Sequence, residues 1–205
     1  STSFLYMLSG FSGTVPSQWA RVNYEPASGE IYTLTQGFNE VRIYNKQGME
    51  IYAFGGDGSL VSAVDLAPGR EGNIYLLARD YKTYGIQKLN YRGQPVGQIP
   101  ITGTPDNFTP DRLELHGDQF YLLDSEGQQI VCVDSHGQLQ SRYDLKKRLD
   151  ASAAELDPEK KKTIANDISG FSVGPNGDIY FTVPTLFGAF RLHPDDTLNS
   201  FGTSG

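Results

Sequence analysis

A tight polar turn that runs straight into an aromatic-tipped strand occurs four times in this chain. The copies are Gly29-Glu30-Ile31-Tyr32, Gly72-Asn73-Ile74-Tyr75, Gly117-Asp118-Gln119-Phe120-Tyr121 and Gly177-Asp178-Ile179-Tyr180. Their closing tyrosines lie 43, 46 and 59 residues apart. Self-similarity at about 40–45 residues points to propeller blades or another stacked array, whose units bury their apolar faces against one another. Little else that this chain could fold into has that period.

Each repeat reads as four short strands separated by polar turns, the composition of one antiparallel blade. The first repeat is expected to place strands at Ala20–Tyr24, Ile31–Thr35, Glu40–Tyr44 and Glu50–Phe54. The second places them at Val61–Leu66, Ile74–Ala78, Ile86–Leu89 and Val96–Ile99. Pro95 and Pro100 assign that last strand to a sheet edge, because proline cannot donate to a ladder. The third repeat gives Arg112–Leu115, Phe120–Leu123, Gln129–Val133 and Leu139–Tyr143; the fourth gives Gly170–Val173, Ile179–Val183, Ala189–Leu192 and Leu198–Phe201. Second and third strands such as Tyr121-Leu122-Leu123 are apolar on both faces, as a sheet sandwiched between two neighbours requires. The turn before each fourth strand has Asn or Asp first and Gly fourth, a type I turn closing on a left-handed glycine. It occurs as Asn45-Lys46-Gln47-Gly48, Asn90-Tyr91-Arg92-Gly93 and Asp134-Ser135-His136-Gly137; the fourth copy, His193-Pro194-Asp195-Asp196, has lost the glycine.

One segment breaks the rhythm. Between Asp144 and Asp167, Leu145, Leu149, Ala153 and Leu156 recur at helical spacing, and Asp157-Pro158-Glu159 reads as an N-cap with proline at the first helical position. Two short helices are expected, the second carrying Lys160, Lys161 and Lys162. With six basic and six acidic residues the segment is nearly neutral. The resulting layout is a single all-β domain, a β-propeller of four-stranded antiparallel blades. Its blades span about 14–58, 59–105, 106–143 and 168–205, with a helical insertion at 144–167 and an orphan outer strand and linker at 1–13.

Net charge is −7, which works against a nucleic-acid role, since that role needs a positive footprint. Cys132 is the only cysteine, so no intrachain disulfide can form. It sits mid-strand among Ile130, Val131 and Val133 and is expected to behave as a small buried apolar residue. No apolar run has the length of a membrane span. One cysteine does not fix the compartment; an exported or periplasmic setting is favoured over a cytoplasmic one.

Several runs resemble the NHL family of six-bladed β-propellers. They are Asn39-Glu40-Val41-Arg42-Ile43-Tyr44-Asn45-Lys46-Gln47-Gly48, Phe54-Gly55-Gly56-Asp57-Gly58, Gly72-Asn73-Ile74-Tyr75 and Gly85-Ile86-Gln87-Lys88-Leu89-Asn90-Tyr91-Arg92-Gly93. The resemblance covers nearly everything outside 144–167, although blades two to four lack the Asn-Arg pair with which family repeats often enter the third strand. It implies a role in protein interaction. It also implies a count: Phe201-Gly202-Thr203-Ser204-Gly205 resembles a blade-linking run, and Phe4–Leu8 resembles a fourth strand with no blade before it. Four blades plus one outer strand are therefore expected here, with further blades beyond them in the natural chain; the alternative is a complete four-bladed propeller.

Alternating strand direction puts the links into each first strand, and the loops between second and third strands, on one face, the top. Trp19, Phe38, Tyr81, Tyr84, Phe108 and Phe187 fall there, with Arg79, and the insertion is expected to lie over them. Loop aromatics and arginine are what macromolecular recognition uses; the bland reading is that several pack beneath the loops. His116, His136 and His193 show no ligand spacing, and Asp65, Asn23 and His116 could face a central channel as solvated polar groups. Asn107-Phe108-Thr109 matches a glycosylation acceptor by chance. The function expected is a non-enzymatic scaffold binding a protein or other macromolecule, with no catalytic residue, metal or cofactor. The rival is a metal-dependent hydrolase or lyase, like gluconolactonase-like or amidating-lyase-like propellers, with its site in the channel. Replacing Asp144–Asp167 by a short Gly-Ser link is expected to leave the fold intact and abolish binding.

Overall fold

The structure is a computed structural model that describes residues 20–35, 37–60, 62–80, 83–156, 168–186 and 188–201. Among the described residues sixteen strands form four separate four-stranded antiparallel sheets, each in sequential order, and one α-helix lies between the third and fourth. The blades are β1–β4 (Ala20–Glu25, Glu30–Thr35, Glu40–Tyr44, Glu50–Gly55) and β5–β8 (Ala63–Pro68, Ile74–Asp80, Thr83–Leu89, Pro95–Pro100). These are followed by β9–β12 (Arg112–His116, Gln119–Asp124, Gln129–Val133, Leu139–Asp144) and β13–β16 (Gly170–Val173, Ile179–Val183, Gly188–Leu192, Leu198–Phe201). Pro95 and Pro100 do lie on an edge strand, β8. The orphan strand at Phe4–Leu8 and the second expected helix lie outside the described residues. The chain divides into two compact units, residues 1–98 and 99–205.

In the first unit, blades one and two share a seam. Antiparallel pairing aligns Tyr32 with Ile43, and Leu34 with Val41, on the face that blade one turns toward blade two, its trailing face. Blade two answers with Leu66, Ile74, Leu76 and Leu89 on its leading face, and all eight side chains are buried in one cluster. The second unit repeats the arrangement. Tyr121, Leu123, Ile130, Cys132 and Tyr143 of blade three meet Ile179, Phe181, Val183, Phe190 and Leu192 of blade four. The rings of Phe181 and Phe190 stack there with centroids 5.3 Å apart. Period-2 alternation is what delivers one stripe per face, and the repeated Gly-x-Ile-Tyr phrase loads both: its isoleucine faces back and its tyrosine faces forward.

The outer hairpins form as their turn residues dictate. Asn45, Asn90 and Asp134 each accept with their side-chain Oδ1 from backbone N–H groups two and four residues on, at 2.9–3.0 Å. Gly48, Gly93 and Gly137 take the positive φ (78°, 76°, 81°). In the fourth blade Asp196 holds the same position at φ 71°, and its N–H still reaches the His193 carbonyl. A non-glycine residue is strained there, and its partner explains why it is tolerated. Arg148 donates one N–H to the Asp196 carbonyl and another to its carboxylate, both at 2.8 Å.

Arg148 belongs to α1 (Lys146–Leu156), and this corrects the expected place of the insertion. The segment leaves β12 at the top, where the Leu145 N–H bonds the Gln128 carbonyl, and α1 lies against the 3₁₀ turn Pro184–Leu186. It also reaches the β15–β16 turn, at the opposite end of the strands. Leu145 and Leu149 are fully buried in the seam cluster with Ile168. The helix is a wedge in the seam between blades three and four, not an appendage laid over the loops, so a Gly-Ser replacement would remove part of the core. Truncating Leu149→Ala leaves a cavity and is expected to cost about 2–5 kcal/mol; urea unfolding measures it, and a loss below about 0.5 kcal/mol would return the helix to the surface.

Candidate functional site

Of the seven top-face residues singled out from the sequence, Trp19, Tyr81 and Phe187 lie outside the described residues. Phe108 does not belong to an exposed surface. It is 6% exposed, and its N–H bonds the Pro105 carbonyl, so it packs beneath the loop.

The remaining three sit at the top of the first unit. Phe38, in the β2–β3 loop, is 64% exposed. The loop that carries it is fixed on its C-terminal side. The Asn39 side chain accepts from the Ala63 N–H (3.2 Å), and its carbonyl accepts from the Gly56 N–H (3.1 Å). Gly55 has to be glycine for this: φ is +80°, and a Cβ would come within 2.2 Å of the Asn39 carbonyl oxygen. That is the physical content of the Phe-Gly-Gly link. Arg79 and Tyr84 pair across β6–β7, the guanidinium 5.9 Å from the ring centroid. Arg79 is exposed, and its N–H bonds the Ser62 carbonyl of the same link. The two hairpin ends are thus laced to one connecting segment, residues 55–62.

The residues considered for a channel are spoken for locally. Asp65 is buried, accepts from the Leu66 N–H at 2.9 Å, and lies 3.5 Å from the Asn23 amide. That amide also donates to the Leu66 carbonyl at 2.6 Å, so the pair joins the inner strands of blades one and two. The His116 ring stands edge-on to Tyr121 at 6.5 Å. Cys132 is buried in the seam, where burial pushes its thiol pKa up despite contacts with Tyr121 and Ser141. Burial, with Cys132 alongside, likewise pushes Tyr121 up to about 12.

One cluster went unread. In blade four, Asp178 is nearly buried and accepts from the Arg191 Nε (3.1 Å) and from His193 Nδ1 (2.9 Å). His193 Nε2 lies 3.0 Å from Asn199 Oδ1. The register Ile179↔Leu192 was the available signal, because it sets Asp178 beside His193. The stretch that looks most regular in sequence thus opens a polar network of its own. Arg191's hydrogen bonds, aided by its charge and that of His193, hold the Asp178 carboxyl below the usual carboxylate range. Among the described residues no group of three or more His, Cys, Asp or Glu side chains could hold a metal ion, and no helix is long and apolar enough to cross a membrane.

No protein-family model matches the chain, and no curated protein matches it. Solved structures do, and those named here are β-propellers. A streptogramin B lyase is 16% identical with a TM-score of 0.54, over 85% of this chain and 51% of its own. An inactive H270A virginiamycin B lyase from Staphylococcus aureus with quinupristin is 13% identical, TM-score 0.56, over 93% and 58%. A chain of a nidogen–laminin complex is 13% identical, TM-score 0.58, over 89% and 62%. This chain therefore spans half to three-fifths of those propellers. The likeness shows the fold: all-β, four-stranded propeller blades, four of them among the described residues, the number expected of this chain, although six is usual in the family that the sequence resembles.

Because the Asp178 pKa is depressed in the folded state, its pairing stabilises above the ordinary carboxylate range, and that contribution is lost as pH falls through the folded-state value. Asp178→Asn is expected to lower Tm at neutral pH and to converge with the parent in acid. A gap that does not narrow at all as pH falls from about 5 to about 2 would contradict this.

Proposed function

We propose that this chain is a non-enzymatic binding scaffold whose recognition surface is the top of blades one and two, and whose ligand is a protein or comparable macromolecule. One observation carries the reading. Phe38 holds a large aromatic side chain in water on a loop pinned at Asn39. Exposing that ring stabilises nothing within the fold, whereas an aromatic on a pre-organised backbone loses little freedom on binding. Arg79, stacked on Tyr84, adds the other residue type that binding hot spots favour. Trp19 and Tyr81 belong to the same proposed surface on sequence grounds, and Phe187 to the top of blade four. The nidogen–laminin structure is a propeller-containing complex, and the lyases are propeller enzymes; at their identities neither likeness decides function.

A partner recovered on the immobilised chain is expected to lose about tenfold or more in affinity with Phe38→Ala or Arg79→Ala, each at unchanged Tm. Met49→Ala, in the exposed β3–β4 turn, is expected to leave affinity unchanged. Equal binding by all three variants would overturn the assignment. A stoichiometric divalent metal that survives dialysis would favour a hydrolase or lyase instead.

A further inference from the structure

In each seam the outer strand of one blade meets the far-end turn of the next blade's outer hairpin, and the two seams close this crossing differently. In the second unit α1 runs over it. Arg148 bonds the carbonyl and carboxylate of Asp196, and the Tyr143 hydroxyl bonds the Pro194 carbonyl. In the first unit no helix stands between β4 and β5. Phe54 packs on Gly93, and the Tyr52 hydroxyl lies 3.4 Å from the Arg92 carbonyl. The charge is also reversed. Here the cation, Arg92, sits on the turn, and among the described residues no carboxylate pairs with it.

Two tyrosines stand at this crossing, Tyr91 57% exposed and Tyr52 40% exposed, and the repeat calls for neither. The position of Tyr52, opposite Ile43, is held by Ser141 opposite Cys132 and by Asn199 opposite Arg191. The turn position of Tyr91 is held by Lys46, Ser135 and Pro194 in the other blades. The backbone beneath Tyr91 is nevertheless fixed: the Asn90 side chain accepts from the Arg92 and Gln94 N–H groups at 2.9 and 3.0 Å. The Arg92 guanidinium stacks 5.3 Å from the Tyr91 ring centroid, which engages its flat face and not its N–H fork. Val96, also mostly exposed, completes the rim. Gly97 lies against Lys88, whose neighbour Leu89 points into the seam, so period-2 alternation turns Val96 to the blade-one side.

We propose that this rim is a second docking surface, for an acidic segment of a partner protein. A carboxylate of that segment pairs with Arg92, and its apolar side chains cover Tyr52, Tyr91 and Val96. Val96 favours a peptide over an acidic saccharide, because a sugar hydroxyl pressed on it would lose water and gain no hydrogen bond. Tyrosine, arginine and apolar contact together are the composition of a protein interface. Pro95 and Pro100 remove N–H groups from the β8 edge, so side chains rather than strand pairing make the contact. The surface is separate from that at Phe38, and neither reading depends on the other.

A random glutamate–tyrosine copolymer is the probe, with binding followed by calorimetry. The chain's net charge of −7 repels a polyanion as a whole, so binding reports a local match. The parent is expected to bind the copolymer, and to bind polygalacturonate more weakly. Arg92→Glu and Tyr52→Ser/Tyr91→Ser are each expected to lower affinity about tenfold or more at unchanged Tm. The two serines are what blade three carries at these positions, so the fold accommodates them. Arg92→Gln repeats the loss without adding a charge. Lys147→Glu, at an exposed position of α1, makes the same change of charge as Arg92→Glu and is expected to leave affinity unchanged. A parent that does not bind, tighter binding of polygalacturonate, equal loss with Lys147→Glu, full binding by the rim variants, or self-association of the parent that Arg92→Glu abolishes would each overturn the proposal.

Discussion

The structure depends on one recurring contact: a tyrosine on the second strand of a blade pressed into the aliphatic leading face of the next. A four-stranded blade alone is too thin to bury its own side chains, so its stability comes from stacking. Tyr32 under Leu66 and Leu76, and Tyr121 under Ile179 and Phe181, are the two instances contained within the units. Everything else follows from keeping that contact in register. The Gly-x-Ile-Tyr turn starts the second strand at the right residue. The Asn/Asp…Gly turns set the outer hairpin, and the Phe-Gly-Gly link draws the chain across to the next blade.

The seams also explain the two places where the repeat is broken. Sheet twist carries the top of one blade's outer strand toward the far-end turn of the next blade's outer hairpin. Phe54 accordingly packs on Gly93, and the Tyr143 hydroxyl bonds the Pro194 carbonyl. Helix α1 enters at this same crossing, which is why its arginine reaches a turn that a flat blade would place out of range. Asp196 stands where glycine is easiest, and the Arg148 contact offsets the strain. The long spacing between the third and fourth tyrosines therefore includes a piece of core, supplied by Leu145 and Leu149.

The strands were legible because they depend on local rules. Turn glycines, alternating apolar residues and the edge prolines act within one hairpin, and the observed boundaries fall within a few residues of those the pattern implies. The helix was legible from Leu145 and Leu149, but its location was not, because twist is a property of the whole sheet. The candidate site was legible in part. Phe38 lies in the β2–β3 loop, Arg79 and Tyr84 pair at the ends of β6 and β7 rather than on the loop expected of them, and Phe108 is buried by a loop fold that no periodicity predicts. The Asp178–His193 pair was missed although the register implied it, because sequence distance hid residues that strand pairing makes neighbours.

The seams are buried, and the recognition surface proposed for the chain lies apart from them. The central claim is that identical positions in the repeat differ in energy only by whether a blade covers them. Paired truncations test it most directly: Tyr121→Ala and Tyr143→Ala against their counterparts Tyr180→Ala and Phe201→Ala, by chemical unfolding. The account predicts losses of about 3–5 kcal/mol for the covered pair and within about 1 kcal/mol for the open pair. Equal losses at all four positions would contradict it.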